Sequence, residues 1–574
     1  MRVPNSMKSK KGLLSKLISV SCIAAAGVSL AACGGGGNDS GSTATTTAAS
    51  DSSSATTAAG TTASGSSSSA SSKDTLVIGT PNDSGGEING HITKGSNMEL
   101  QHLVFETLVV NEPGKGIQPH LAESWDISED GKEYTFHLRK GISFTDGEPF
   151  NAEAVKANLD AIMDNKEGLK WLASVDHFVE CKVVDDSTVT VTMDAPYYPL
   201  LEEMAMIRPF VMMSPKSFID GKTKDGVSYF AGTGPYKWDA DGYKEAQQSV
   251  VTVNEDYWGE VPKIKTVTFK VMPSGQTTLQ AFYNGEIDFL YGSYETNLID
   301  TDAIKDIEKD SKYQVKFSDP VSTNFLLTSS KPDKATADKN VRLAISYAIN
   351  REEMAESLCS GLDKPAYTFF STNIQYCDVG LEERGYDVDK AKSLLEESGY
   401  TMGSSGYYEK DGKQLDIKIA FKGSSATNKM ACEYLQSNLK DAGINLELAP
   451  CESSDYSNIR KSGDYELCYE NTWGTDYDPH CTIAAFRKGS SYAAAVENHS
   501  FYDELFAKFD DAVTSTDETK RQGYWKDFLT QMHDECIAIP IKSPSLGLIT
   551  TSDLQGLHFG ISQYGLEVQD FYYQ

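Results

Sequence analysis

From Gly34 to Ser72 the chain is almost wholly Gly, Ser, Thr and Ala, with no aromatic residue. Such a segment cannot bury enough apolar surface to offset the entropy of ordering it, so a folded body must lie outside it. At roughly 5–6 Å times the square root of length, this tether reaches about 35 Å from end to end. Removing it and what precedes it leaves about 500 residues, too many for one core and ample for two lobes.

Ahead of the tether, Lys8, Lys10, Lys11 and Lys16 precede an apolar stretch from Leu17 to Ala32. That stretch is too short for a comfortable membrane span and ends at small residues, the pattern of an export signal. Its last residues, Leu30-Ala31-Ala32-Cys33, resemble a bacterial lipobox, whose cysteine is alkylated by diacylglycerol and becomes the first residue of the mature chain. Each buried methylene contributes about 0.8 kcal/mol, so two or three acyl chains hold firmly where one is marginal. The reading is therefore a signal peptide over 1–32 and a lipidated Cys33 with its tether over 33–73. A head anchored by lipid alone to the outer face of the cell membrane follows.

No later segment approaches the length of a membrane span. The net charge of −30 argues against nucleic acid and anionic lipid surfaces, both of which would repel the head. Beyond Cys22 and Cys33 lie Cys181, Cys359, Cys377, Cys432, Cys451, Cys468, Cys481 and Cys536. An exported chain can pair them, but eight cysteines allow 105 pairings and sequence does not choose; some can equally be small buried hydrophobes. No Gly-x-Ser-x-Gly elbow and no His-Glu-x-x-His occurs, and Gly232-Thr-Gly-Pro235 runs into proline instead of opening a phosphate-binding helix. An enzyme is not expected.

Strand signals dominate the first half of the head. Thr75 to Thr80 is a short apolar run, and Glu133 to Phe144 alternates, with Tyr134, Phe136 and Leu138 on one face. Lys182 to Met193 reads as a hairpin bent at Asp185-Asp186-Ser187, and Thr266 to Val271 alternates again. In the second half Val341, Ala344, Ile345 and Ala348 recur at helical spacing behind a cap at Asp338 or Asn340. Further helices are predicted from Asp389 to Ser398, stopped by Gly399, and from Asn428 to Asp441, stopped by Gly443. Ile444 to Leu448, Tyr465 to Tyr469 and Ile537 to Ile541 read as buried strands, which makes this half α/β.

The segment from Ala122 to Phe150, with its Tyr134-Thr-Phe-His-Leu138 and Phe144-Thr-Asp-Gly147 stretches, resembles the signature of the bacterial peptide/nickel solute-binding family. Gly232-Thr-Gly-Pro-Tyr236, Asn254-Glu-Asp-Tyr-Trp-Gly259, Gly285-Glu-Ile-Asp288, Val341 to Asn350 and His533 to Pro540 continue the likeness in order through the head. The resemblance implies an α/β, two-lobed periplasmic-binding-protein-like (type II) fold, with an extra β-rich subdomain in the first lobe. It divides the head into a lobe I core (74–117, 235–316 and 545–574), the extra subdomain (118–234) and lobe II (317–544), joined by two crossing segments. It also implies the work of a monomeric binding protein that presents a solute to ABC permease subunits, with ATPase subunits inside the cell.

Ala195 to Phe210 and Asn471 to His480 look most like the nickel-binding branch, in which the metal arrives inside a small carboxylate-bearing chelator. Carried over by position, Arg208 is the carboxylate clamp, Trp171, Trp473 and Tyr477 are aromatic walls, and Met98 is a soft contact. A guanidinium matches a carboxylate with paired donors, and aromatic faces supply stiff apolar area. The chain needs no cofactor of its own; nickel or another transition metal would be cargo. Two departures stand against nickel. The branch's metal-touching histidine falls at about Ser491, and its second arginine falls near Gly168. His480 and His499 are the imidazoles that could substitute, and a di- or oligopeptide is the alternative cargo.

Overall fold

The computed structural model describes residues 73–83, 85, 88–92, 98–112, 114–272, 274–292, 301–320, 322–473, 478–559 and 565–574. All of them fall in the compact unit Ala70–Gln574. The signal, Cys33, the tether and Tyr477 lie outside the described residues.

Two large sheets organise the unit. The first has seven strands in the order Tyr236–Trp238, Gln248–Val253, Thr266–Val271, Thr75–Thr80, Phe289–Gly292, Gly547–Thr551 and Tyr313–Phe317. Thr75–Thr80 is parallel to both neighbours, with Ile78 opposite Phe269 on one side and Phe289 on the other. Buried on both faces, it reads as a continuous apolar run. The second sheet has six strands in the order Lys364–Pro365, Ala538–Ser543, Asn324–Thr328, Leu467–Asn471, Asp416–Lys422 and Asn445–Cys451. A smaller antiparallel sheet has four strands in the order Ala122–Ile127, Glu133–Leu138, Thr188–Met193 and Phe178–Asp185.

Local rules account for most elements. Glu133–Leu138 buries Tyr134, Phe136 and Leu138 alternately, but it stops short of the expected Phe144 because Gly141, at φ +78°, turns the chain. The hairpin bend falls where Asp185 accepts from the Ser187 N–H. Helix Lys339–Tyr347 begins with Asp338 accepting from the Asn340 N–H. Val388–Glu397 and Ala426–Asp441 run into Gly399 and Gly443, both in the left-handed region that a helix exit uses. Gly232 and Gly234 have a different reason. A Cβ on either would stand 2.1 Å or 2.7 Å from backbone carbonyls of helix Met98–Val104, so this motif is a seat for that helix.

The chain passes between the two large sheets by two segments, one joining Phe317 to Asn324 and one joining Ser543 to Gly547. They lie side by side: Ser318 and Leu546 exchange N–H···O contacts, and Thr323 and Ser543 meet through their hydroxyls at 3.3 Å. Arg342 and Arg351, each 1 % exposed, tie the second half together by donating to carbonyls of Glu535 and Pro540. The largest apolar core is shared between the halves. It joins Tyr134, Tyr197 and Phe210 to Tyr376, Phe509 and Trp525. Seven of the eight described cysteines are buried.

Lys542, on the strand that leads into the second crossing, places its ammonium 2.6 Å from Asp363, with both side chains at most 2 % exposed. Removing one partner of such a pair costs about 3–5 kcal/mol, because the other charge stays buried. Lys542→Met is therefore expected to lower the unfolding free energy by that amount in urea titrations. The double variant Lys542→Met/Asp363→Leu should recover most of it.

Candidate functional site

The segment after strand Thr188–Met193 carries the acids and aromatics that face the second half. Tyr197 and Tyr198 lead into helix Leu200–Met204, and the chain then reaches the cis Arg208–Pro209 peptide before Met212 pairs with Glu106. Arg208 is half-buried. Its neighbours Ile207 and Val211 belong to the same apolar cluster as Leu100 and Leu103 of helix Met98–Val104, and Met98 packs on that cluster. Arg208 stands in sequence between two residues of the cluster on which Met98 packs.

Trp171 follows the turn at Lys166–Gly168 and meets Trp473 edge to face, with ring centroids 6.0 Å apart at 61°. Among the described residues the buried Trp171 Nε1 has no hydrogen-bond partner. Trp473 is fixed from behind. Its backbone N–H donates to Thr482 Oγ1 at 2.9 Å, and its Nε1 donates to the Tyr492 hydroxyl at 3.1 Å. That hydroxyl donates to Glu470, which also accepts from Tyr456 and Arg460. A rigid aromatic wall results, held by groups that sequence reasoning missed.

A buried polar chain joins the same two halves. His480 Nδ1 lies 2.5 Å from Asp478 Oδ1, and His480 Nε2 lies 3.3 Å from both Glu203 Oε1 and Cys481 Sγ. Glu203 also accepts from the Tyr197 hydroxyl at 2.7 Å and from the Ser174 amide and hydroxyl. Tyr198 donates to Asp478 at 3.2 Å and accepts from Trp525 Nε1 at 3.0 Å. Burial alone would depress the His480 pKa, but Cys481 and Asp478 outweigh it and hold the value well above that of a free imidazole. Burial, then the charge of Asp478, pushes Glu202 up to about 8, so this neighbour of Glu203 is neutral at pH 7.

Asp478, His480 and Cys481 stand in the order orienting carboxylate, base and thiol, as in a cysteine hydrolase. None is more than 4 % exposed, so no substrate reaches the sulfur in this arrangement.

The structure brings Trp171 and Trp473 together, and Met98 packs on the cluster that holds Ile207 and Val211, the sequence neighbours of Arg208. The expected metal-touching position, Ser491, carries no imidazole, and Gly168 packs on the Asn165 side chain without a guanidinium. His499 stacks on Phe501, and burial, then Arg342, lowers its pKa to about 4. His480 is the histidine at the contact between the halves. A cavity of about 650 Å³ lies on the far side of Tyr197 and Tyr198, lined also by Tyr134, Glu202, Tyr376 and Arg521. None of Met98, Trp171, Arg208 and Trp473 lines it.

A family model described as bacterial extracellular solute-binding proteins, family 5 middle, matches residues 116–493. The chain is 33 % identical over 477 residues to the nickel-binding periplasmic protein of Escherichia coli (strain K12), covering 83 % of this chain and 90 % of that one. It is 24 % identical over 449 residues to the dipeptide-binding protein of the same organism, covering 74 % and 80 %. The crystal structure of NikA from Brucella suis in complex with Fe(III)-EDTA matches with a TM-score of 0.84 at 33 % identity, covering 87 % of this chain and all of that one. The architecture is the two-lobed type II periplasmic-binding fold, in a family of binding proteins, not enzymes. The chain belongs to the bacterial extracellular solute-binding proteins of family 5.

Proposed function

We propose that this protein captures a transition-metal chelate, nickel foremost, in the cleft between its lobes and delivers it to an ABC permease. The observation that carries the reading is the Trp171–Trp473 contact, an aromatic pair drawn from both halves at positions where the nickel branch lines its cavity. The 33 % identity to a nickel-binding relative and the likeness to a chelate-bound structure support it. Arg208 is the proposed carboxylate clamp, with Met98 and Tyr477 completing the contacts.

The lobes are assigned as a lobe I core over 74–117, 235–316 and 545–574, an extra subdomain over 118–234 and lobe II over 317–544. The paired crossing segments serve as the hinge. Ligand favours closure only through contacts that are better in the closed form, and the two tryptophans are of that kind. The protein acts as a monomer, catalyses nothing, and leaves ATP hydrolysis to other subunits. Cys33 carries the lipid, and the tether lets the head reach its permease.

A second reading, di- or oligopeptide cargo, is favoured by the missing guanidinium at Gly168 and by the dipeptide-binding relative. A peptide would lie as an added strand, whereas a chelate needs only the clamp and the aromatic walls.

Three outcomes are expected. In a thermal-shift panel of nickel with histidine, other chelated metals and di- to pentapeptides, a chelate stabilises the protein by about 2.7 kcal/mol at 100 times its Kd; stabilisation by peptides alone would hand the site to the second reading. In calorimetry Arg208→Ala weakens a carboxylate-bearing chelate by about 2–5 kcal/mol, and unchanged affinity rejects the clamp. Cys33→Ser moves the protein from the detergent phase to the aqueous phase of a Triton X-114 partition.

A further inference from the structure

Glu203, His480 and Cys481 are fully buried, and one potential ligand atom from each lies within 4.8 Å of the others. They offer three of the four donors of a tetrahedral ion. A tetrahedral zinc ion, with bonds of about 2.0–2.1 Å to nitrogen and oxygen and about 2.3 Å to sulfur, needs ligand atoms about 3.3–3.6 Å apart. His480 Nε2 is 3.3 Å from Glu203 Oε1 and 3.3 Å from Cys481 Sγ. The outer groups fit as well. Asp478 Oδ1 takes the Nδ1 edge of His480, which turns Nε2 toward the sulfur and the carboxylate. Ser174 and Tyr197 hold Glu203 from the other side. Carboxylate–histidine–metal triads are built this way.

We propose that Glu203, His480 and Cys481 form a second metal site, separate from the chelate clamp, which takes a bare divalent ion of the zinc type and pins the two halves together. Imidazole, thiolate and carboxylate in a tight shell suit zinc, cobalt or nickel and not magnesium or calcium. Thiolate and carboxylate carry two negative charges against the ion's two positive ones, and Asp478 adds a third behind His480. Binding requires the sulfur as thiolate and His480 Nε2 unprotonated, and any proton either carries leaves to solvent. Glu203 comes from the 118–234 segment and the other two ligands from the 317–544 segment, so the shell is complete only when the halves meet, and the ion enters while they are apart. This entry route rests on the two-jaw reading above; the shell itself does not.

The test uses the purified full chain, stripped of metal, titrated with cobalt chloride in the absence of chelator. One equivalent of cobalt is expected to bind, with tetrahedral visible bands and a near-ultraviolet thiolate-to-cobalt band, and zinc should displace it. Cys481→Ser should abolish the thiolate band, and Glu203→Gln should weaken cobalt at least tenfold while keeping it. Arg208→Ala should lower the affinity for nickel with histidine and leave the cobalt spectrum intact. X-ray absorption of the zinc-loaded wild type keeps the proposal testable if a variant fails to fold, and one sulfur at about 2.3 Å is expected. No cobalt uptake, a thiolate band that survives Cys481→Ser, or a zinc shell without sulfur would overturn the site.

Discussion

The seam between the two halves is largely apolar and buried, and within it an imidazole lies between carboxylates. His480 reaches Asp478 within its own half and Glu203 in the other, and all three are nearly inaccessible to water. Charged groups in such a place cost several kcal/mol each unless a partner is present. Parting the halves leaves Glu203 with Ser174 and Tyr197, and His480 with Asp478, so each side keeps partial compensation. Each half thus has polar partners of its own for its buried groups. Aromatic burial around Tyr198, Tyr376 and Trp525 supplies the bulk of the attraction, and the polar chain supplies the register.

That division of labour suits a binding protein. A cleft that closed too firmly would never release its cargo, and one with no closed geometry would present nothing recognisable to a permease. The crossing segments are short and hydrogen-bonded to each other through Ser318 and Leu546. The tryptophan pair sits close to the polar chain along the sequence: Trp473 lies seven residues before His480, and Trp171 three before Ser174. The tryptophan pair and the charge chain are thus carried on the same short loops.

Local patterns made much of the fold legible. Alternation at Tyr134, Phe136 and Leu138, the cap at Asp338 and the exits at Gly399 and Gly443 each depend on neighbours a few residues away. What stayed hidden depends on distance. Helices Ala152–Asp164, Tyr502–Thr514 and Glu518–Asp534 went unread although their apolar faces are regular. Arg342 and Arg351 look like surface residues until the strand carbonyls they serve are placed. Trp171 and Trp473 could be nominated only by resemblance, because nothing local says that two rings so far apart in the chain will meet. Glu203 and His480, 277 residues apart, carried no sequence signal as a pair, although the adjacent acids in an otherwise apolar stretch were a hint.

Capture between two moving lobes is the claim on which this account stands, and small-angle X-ray scattering addresses it directly. Protein free of ligand and protein saturated with a chelate that calorimetry shows to bind should differ, with a smaller radius of gyration in the loaded form. Superimposable profiles, with binding demonstrated in the same samples, would contradict the account.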